Sequence, residues 1–167
     1  MQLREDIQLK SVIRALTEVV LPAVDSSNAL AVEQTQVAIG MLQLMAARLP
    51  LQFRYDCDEL ARLLELCRAL AAYDDGALSA ATRAGAEVLG RAQAGPDEVL
   101  GAIRELRRLS GDLITARYRD DDDGARTHIS QLVLAHADQQ LLRERAWVAP
   151  QGWEIQPETL PAIEDLL

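Results

Sequence analysis

Two histidines, His128 and His136, are the only imidazoles in the chain, and imidazole is a common metal ligand. Eight residues apart on one helix, they stand about 12 Å apart along the axis and about 80° around it. One metal ion could not take both unless a second helix folded against them. Neither the Glu-x-x-His pairs of di-iron bundles nor a His-Glu-x-x-His run occurs in the sequence, so no metal and no cofactor is expected. The run Asp120–Asp123 followed by Gly124 is the one dense patch of carboxylates. Aligned on its glycine as an EF-hand loop, the ligand positions fall on Arg119, Asp121, Asp123 and Ser130. Both ends of the set fail. A solvated loop that favours the next helix N-terminus is the better expectation.

Nucleophilic chemistry fares no better. Ser79, Ser110 and Ser130 have no elbow motif around them, which an acyl-transfer serine needs for its strained, exposed turn. Cys57 lies between Asp56 and Asp58, and neighbouring carboxylates raise a thiol pKa instead of lowering it. No Walker loop or dinucleotide fingerprint is present, and Gly85 and Gly90 sit in a helical stretch that suits packing better than phosphate binding. Catalysis is not expected.

Polar residues at core-like helix positions are more informative. Gln34 and Arg48 fall on the main apolar face of the segment 28–49, Arg117 continues an apolar row, and Arg54 stands beside Phe53 and Tyr55. Buried polar groups must be paired. Asp56, Asp58, Glu65 or Glu105 could pair with the arginines as a polar layer that fixes helix register. A small acyl or anionic ligand held near Gln34, Met41, Met45, Arg48, Arg54 and Arg117 is the functional alternative, since bundles place such sites between helices. A second candidate surface is the tail, residues 148–167, which carries Glu154, Glu158, Glu164 and Asp165 and no Lys or Arg. Trp147, Trp153, Leu160, Ile163 and Leu166 would be its anchors if it docked in a partner's groove.

Composition bounds the partners. The 167 residues carry a formal charge of −9, opposite to what a phosphate backbone or an anionic membrane surface needs. No apolar run approaches the roughly 20 residues that span a bilayer, and the N-terminus has no signal-peptide core. A cytoplasmic protein with no nucleic-acid or membrane partner is expected. Cys57 and Cys67 are about 15 Å apart along one helix, too far for a disulfide.

The elements that must position these residues are all helical. Leu3–Val20 reads as a first helix ended by Pro22, and Asp25–Asn28 offers N-caps for a second over Asn28–Leu49. That second helix is apolar around most of its circumference: Leu30, Val37, Met41, Leu44 and Met45 share one face, and Val32, Ile39 and Ala46 lie well round from it. Such a helix is expected at the centre of a bundle. A third helix starts near residue 51 or at Asp56, burying Leu60, Leu63, Leu64, Cys67, Leu70 and Ala71, and ends at Tyr73–Gly76. A fourth spans about Ala77–Ala94, with Gly85 and Gly90 allowing close approach of a neighbour. After the Gly95-Pro96 boundary, a fifth covers Val99–Arg117 through Val99, Ile103, Leu106, Ser110 and Leu113. A sixth runs from about Gly124 to Trp147 on Ile129, Leu132, Val133, Leu134, Leu141 and Leu142. One final turn over Leu160–Leu167 completes the tail.

The run VVLPAVDSSNALAVEQTQVAIGMLQLMAARL resembles a group of uncharacterised bacterial all-helical proteins found beside phosphotransferase-like kinases and acyl-CoA dehydrogenases. Leu21-Pro22, Asp25–Asn28 and Ala46-Ala47-Arg48 carry the likeness. It implies an accessory role near fatty-acyl or small-molecule metabolism and assigns no catalytic residue.

The expected fold is therefore all-α, a five- to six-helix bundle with mostly antiparallel neighbours and an irregular C-terminal tail. Residues 1–147 form the bundle, and 148–167 belong to the same domain or serve as a docking segment. The expected function is that of a non-catalytic interaction protein, a homo-oligomer with a possible further protein partner, because apolar stripes beyond one core's needs become an interface.

Overall fold

The computed structural model describes residues 5–74, 76–91, 94–120 and 122–167, so Leu3, Asp75, Ala92 and Asp121 lie outside the described residues. Among the described residues the protein is all-α, with no strand and seven α-helical segments: α1 (Glu5–Ala15), α2 (Leu21–Ala23), α3 (Ala29–Arg48), α4 (Gln52–Leu70), α5 (Ala77–Gly90), α6 (Pro96–Arg117) and α7 (Asp123–Val148). The chain divides into two compact units, one made of residues 1–52 and 144–165, the other of 53–143 with 166–167.

In the first unit a π-helical turn, Leu16–Val20, joins α1 to α2. Pro22 does not end the helix as expected. The chain stays helical through Ala23 and turns extended at Val24 (ψ 134°). A proline ring crowds the carbonyl four residues back and offers no N–H. The wider i→i+5 turn ahead of it relieves that crowding without breaking the helix. Asn28 then caps α3, its side chain accepting from the Ala31 N–H at 3.1 Å. The helical run from α1 to α2 packs on α3, and α3 also meets the 3₁₀ turn Ala149–Gln151.

In the second unit the core is built by α4, α5, α6 and the first part of α7. Leu60, Leu63, Leu64, Cys67 and Leu70 of α4 pack with Leu78, Val99, Ile103, Leu106 and Ile129 as one buried cluster. Those α4 and α6 residues are the ones their helical spacing predicts, although Ala71 is exposed in a terminal 3₁₀ turn. α5 stops at Gly90, short of Ala94. α6 opens earlier than Val99, at Pro96, where the Glu98 carboxylate accepts from the Gly95 N–H at 2.9 Å in the manner of a capping box. Gly85 lies against side chains: a Cβ there would come within 3.2 Å of Leu64 and 3.3 Å of Leu106. Gly90 has no such neighbour. On α7, Leu134, Leu141 and Leu142 are exposed, contrary to their expected place in the core.

The largest correction concerns α3. It is not the hub of a bundle: Ile39 is its one buried residue, while Leu30, Val37, Met41 and Met45 are 67, 44, 54 and 59 % exposed.

Candidate functional site

The packed side of α3 is the line Ala31, Thr35, Ile39, Leu42 and Ala46, all buried or half-buried. The opposite side holds Leu30, Gln34, Val37, Met41, Leu44 and Arg48, which recur at alternating intervals of four and three. That is the spacing of a seam that seats one helix against another. Leu44 and Arg48 are half-covered and the rest are exposed. The seam runs about 27 Å along the axis, and its flanks carry Glu33 as their one ionisable side chain, beside Ala38, Gly40 and Met45. A cleft of about 310 Å³ follows one edge, lined by Val37, Gly40, Met41, Pro150 and Trp153 among others. Trp153 itself is 73 % exposed, and Ile155 beyond it is almost fully so.

Arg48 closes the C-terminal end of this face. Its Nε donates to the carbonyl of Trp147 at 2.8 Å and its Nη2 to that of Ala146 at 2.9 Å. These are carbonyls of the last turn of α7, which lack partners within their own helix and carry the negative end of its dipole. The guanidinium also lies 5.4 Å from the centre of a Trp147 ring. Burial lowers the Arg48 pKa and the charge of Glu164 opposes that shift.

The residues proposed to hold an anion belong to both units, Gln34, Met41, Met45 and Arg48 to the first and Arg54 and Arg117 to the second. Met45 and Arg48 share a cleft of about 160 Å³ with Leu44, Leu49, Gln52 and Trp147. Met41 belongs to the larger cleft, and Gln34 is exposed on the seam. Arg54 donates to the Leu167 carbonyl. Arg117, in the second unit, gives Nε and Nη2 to the Tyr73 carbonyl at 3.0 and 2.8 Å and Nη1 to Asp120 at 3.1 Å. Arg48 and Arg117 therefore do the same thing: each caps the C-terminal end of a helical segment other than its own. Sequence spacing marked both as unusual, but their carbonyl partners, 98 to 99 residues away for Arg48 and 44 for Arg117, left no local signal.

The tail residues differ in burial and belong to both units. Ile163 is buried at 2 % exposure, Trp147 and Leu160 are half-buried, and Trp153 stands free on the surface. Leu166 belongs to the second unit, where its carbonyl accepts from Arg62 at 2.8 Å. Arg145 pairs with Glu154 through two hydrogen bonds of 2.9 Å, which fastens the start of the tail.

Of the remaining chemistry-bearing residues, His128, Asp120 and Asp122 have structural partners. His128 Nδ1 is 2.6 Å from the Tyr73 hydroxyl. Burial, then the charges of Arg107, Arg143 and Arg62, lowers the pKa of His136. Burial and then Asp56 raise that of Cys57, and burial lifts that of Cys67 to about 11. Asp122 caps α7 by accepting from the Ala125 N–H at 2.9 Å, and Asp120 pairs with Arg117. Among the described residues no group of three or more His, Cys, Asp or Glu is arranged to hold a metal ion, and no helix is long and apolar enough to cross a membrane. No protein family, no curated protein and no solved structure matches the chain.

Proposed function

We propose that this is a non-catalytic accessory protein of the cytoplasm that works by protein–protein association, with a second copy of itself as its first partner. The observation behind this reading is the uncovered face of α3. A helix already packed on one side presents a second apolar face, five turns long, to water. Burying the exposed parts of Leu30, Val37, Met41 and Met45 would release roughly 1 kcal/mol each. The placement in the cytoplasm is supported by the two free cysteines of α4. A role beside fatty-acyl metabolism is the further proposal that the resemblance of the first 50 residues implies. The bundle with mostly antiparallel neighbours, of five or six helices, remains our proposal for the arrangement of the helices.

Sedimentation across a concentration series tests the reading directly. A weight-average mass that rises towards twice that of the chain is expected. A monomer at every concentration would remove self-association from it. A small acyl or anionic ligand is the second reading, and the 310 Å³ cleft is where its chain would lie. It ranks lower because the Nε and Nη2 groups of Arg48, its best head-group partner, already hold carbonyls.

A further inference from the structure

From the composition of the α3 seam we infer that two copies pair antiparallel along it, about a two-fold axis passing beside Ile39. The inference rests on the self-association proposed above and names its interface. The seam offers on the order of 500 Å² of apolar side-chain surface per copy, so two copies would bury about 1,000 Å², where specific interfaces begin. A patch of that size, with one ionisable side chain on its flanks, fits an apolar helix better than a charged partner.

Direction follows from what each pairing would place face to face. In a parallel pair every seam residue meets its own copy, so Arg48 would be brought against Arg48 of the second molecule. Like charges in such a layer repel, and neither arginine is free to turn away, since each is fixed on the Ala146 and Trp147 carbonyls. An antiparallel pair puts the two arginines at opposite ends of the seam. Val37 then meets Met41 of the second copy, Gln34 meets Leu44, and Leu30 lies over the end closed by Arg48. At the crossing point, Ala38 meets Ala38 and Gly40 meets Gly40, which lets the backbones come close. Within one copy a Cβ at Gly40 would meet nothing within 4 Å, so packing inside the chain gives no reason for glycine there. The antiparallel dipoles add to the preference.

The test uses two charges and their combination. Val37→Lys and Met41→Glu are each made on the full chain, and both residues are about half exposed in one copy. Circular dichroism and melting should therefore show the fold intact. Each single variant is expected to weaken the dimer about tenfold or more, since 1.4 kcal/mol is a factor of ten. The double variant V37K/M41E is expected to recover it, because antiparallel pairing sets the introduced lysine of one copy opposite the introduced glutamate of the other. Parallel pairing would instead set lysine on lysine and glutamate on glutamate. A double variant that stays as weak as the singles overturns the antiparallel arrangement. A dimer that neither single variant affects overturns the seam while leaving self-association standing. A wild-type monomer overturns both.

Discussion

The guanidinium of Arg143 stacks on the ring of Tyr55, 4.3 Å from its centre, and its Nη2 donates to the Tyr55 carbonyl at 3.2 Å. Arg143 is also 1 % exposed and ion-paired to Asp58 at 3.0 Å, and Nη1 reaches Gln140 at 2.7 Å. One side chain of α7 thus holds the first turns of α4 by charge, hydrogen bond and ring contact together.

Replacing that arginine removes the ring contact and the hydrogen bond to the Tyr55 carbonyl and takes one of two cations from Asp58. Breaking a buried pair from one side costs about 3–5 kcal/mol. Asp58 keeps Arg62 at 2.7 Å, which places Arg143→Met near the lower end of that range. Urea denaturation followed by the signal of α4 to α6 measures it. A loss under about 1 kcal/mol would mean that the ring contact and the ion pair contribute little beyond their desolvation.

Asp74 caps α5 from two residues before Gly76. Its carboxylate accepts from the Leu78 and Ser79 N–H groups at 3.1 and 2.6 Å. Gly76, at φ 115°, supplies the left-handed turn that brings it there and has no side chain of its own to cap with. Desolvation opposes the charge, but hydrogen bonds from Ser79, Leu78 and Gly76 outweigh it and hold the pKa at about 2. The folded pKa lies below the ordinary 3.8. The stabilisation is therefore present above about pH 4 and drains away as the pH falls through 2. Asp74→Ala is expected to cost about 1 kcal/mol at neutral pH, with the difference from wild type closing in strong acid. An equal difference at both pH values would mean that the ionised carboxylate is not the cap.

Two glycines of α5 should answer oppositely. Gly85 is wedged against Leu64 and Leu106, so Gly85→Leu overpacks the core at a cost of about 1–3 kcal/mol. Gly90 has open space and a negative φ, so Gly90→Ala is expected to add about 0.4–1 kcal/mol through the unfolded chain's entropy. Melting curves of the two variants, shifted down and up respectively, check the pair. Shifts in the same direction would contradict the packing described for Gly85.

His136 should titrate below 6.5 in the folded protein, because burial and then the charges of Arg107, Arg143 and Arg62 disfavour the imidazolium. The unfolded chain binds that proton first. Stability therefore falls as the pH drops below about 6.5 and levels off once the folded imidazole has titrated. A proton NMR titration of the His136 ring reads the midpoint, and a value at or above 6.5 would refute the account. His136→Gln should flatten that part of the stability profile.

Much of this fold is legible in the chain. The Asn28 cap, the bounds of α7 to within a residue, and the buried rows Leu60-Leu63-Leu64-Cys67-Leu70 and Val99-Ile103-Leu106-Ser110 all follow from spacing and capping chemistry. These helices have one apolar face each, so periodicity identifies the inward side. α3 has two. Leu30, Val37 and Met41 are as apolar as Ile39, Leu42 and Ala46, and no count of hydrophobic residues decides which set packs within the chain. The roles of the arginines were hidden for another reason. A guanidinium on an apolar face calls for a partner, and residue types point to carboxylates. Arg48 and Arg117 took backbone carbonyls at helix ends, which every sequence contains and none advertises.

All ten described residues of the buried hydrophobic cluster belong to α4, α5, α6 and the start of α7, within the second unit. The unit carrying α1 to α3 is the one expected to open first, with amide hydrogens that exchange while those of α4 and α6 stay protected. Its resistance to opening then includes whatever covers Leu30, Val37 and Met41. A second copy contributes by mass action, more at high concentration than at low. On dilution the unit of α1 to α3 should lose order before the unit of α4 to α6, and a single melting temperature would describe neither.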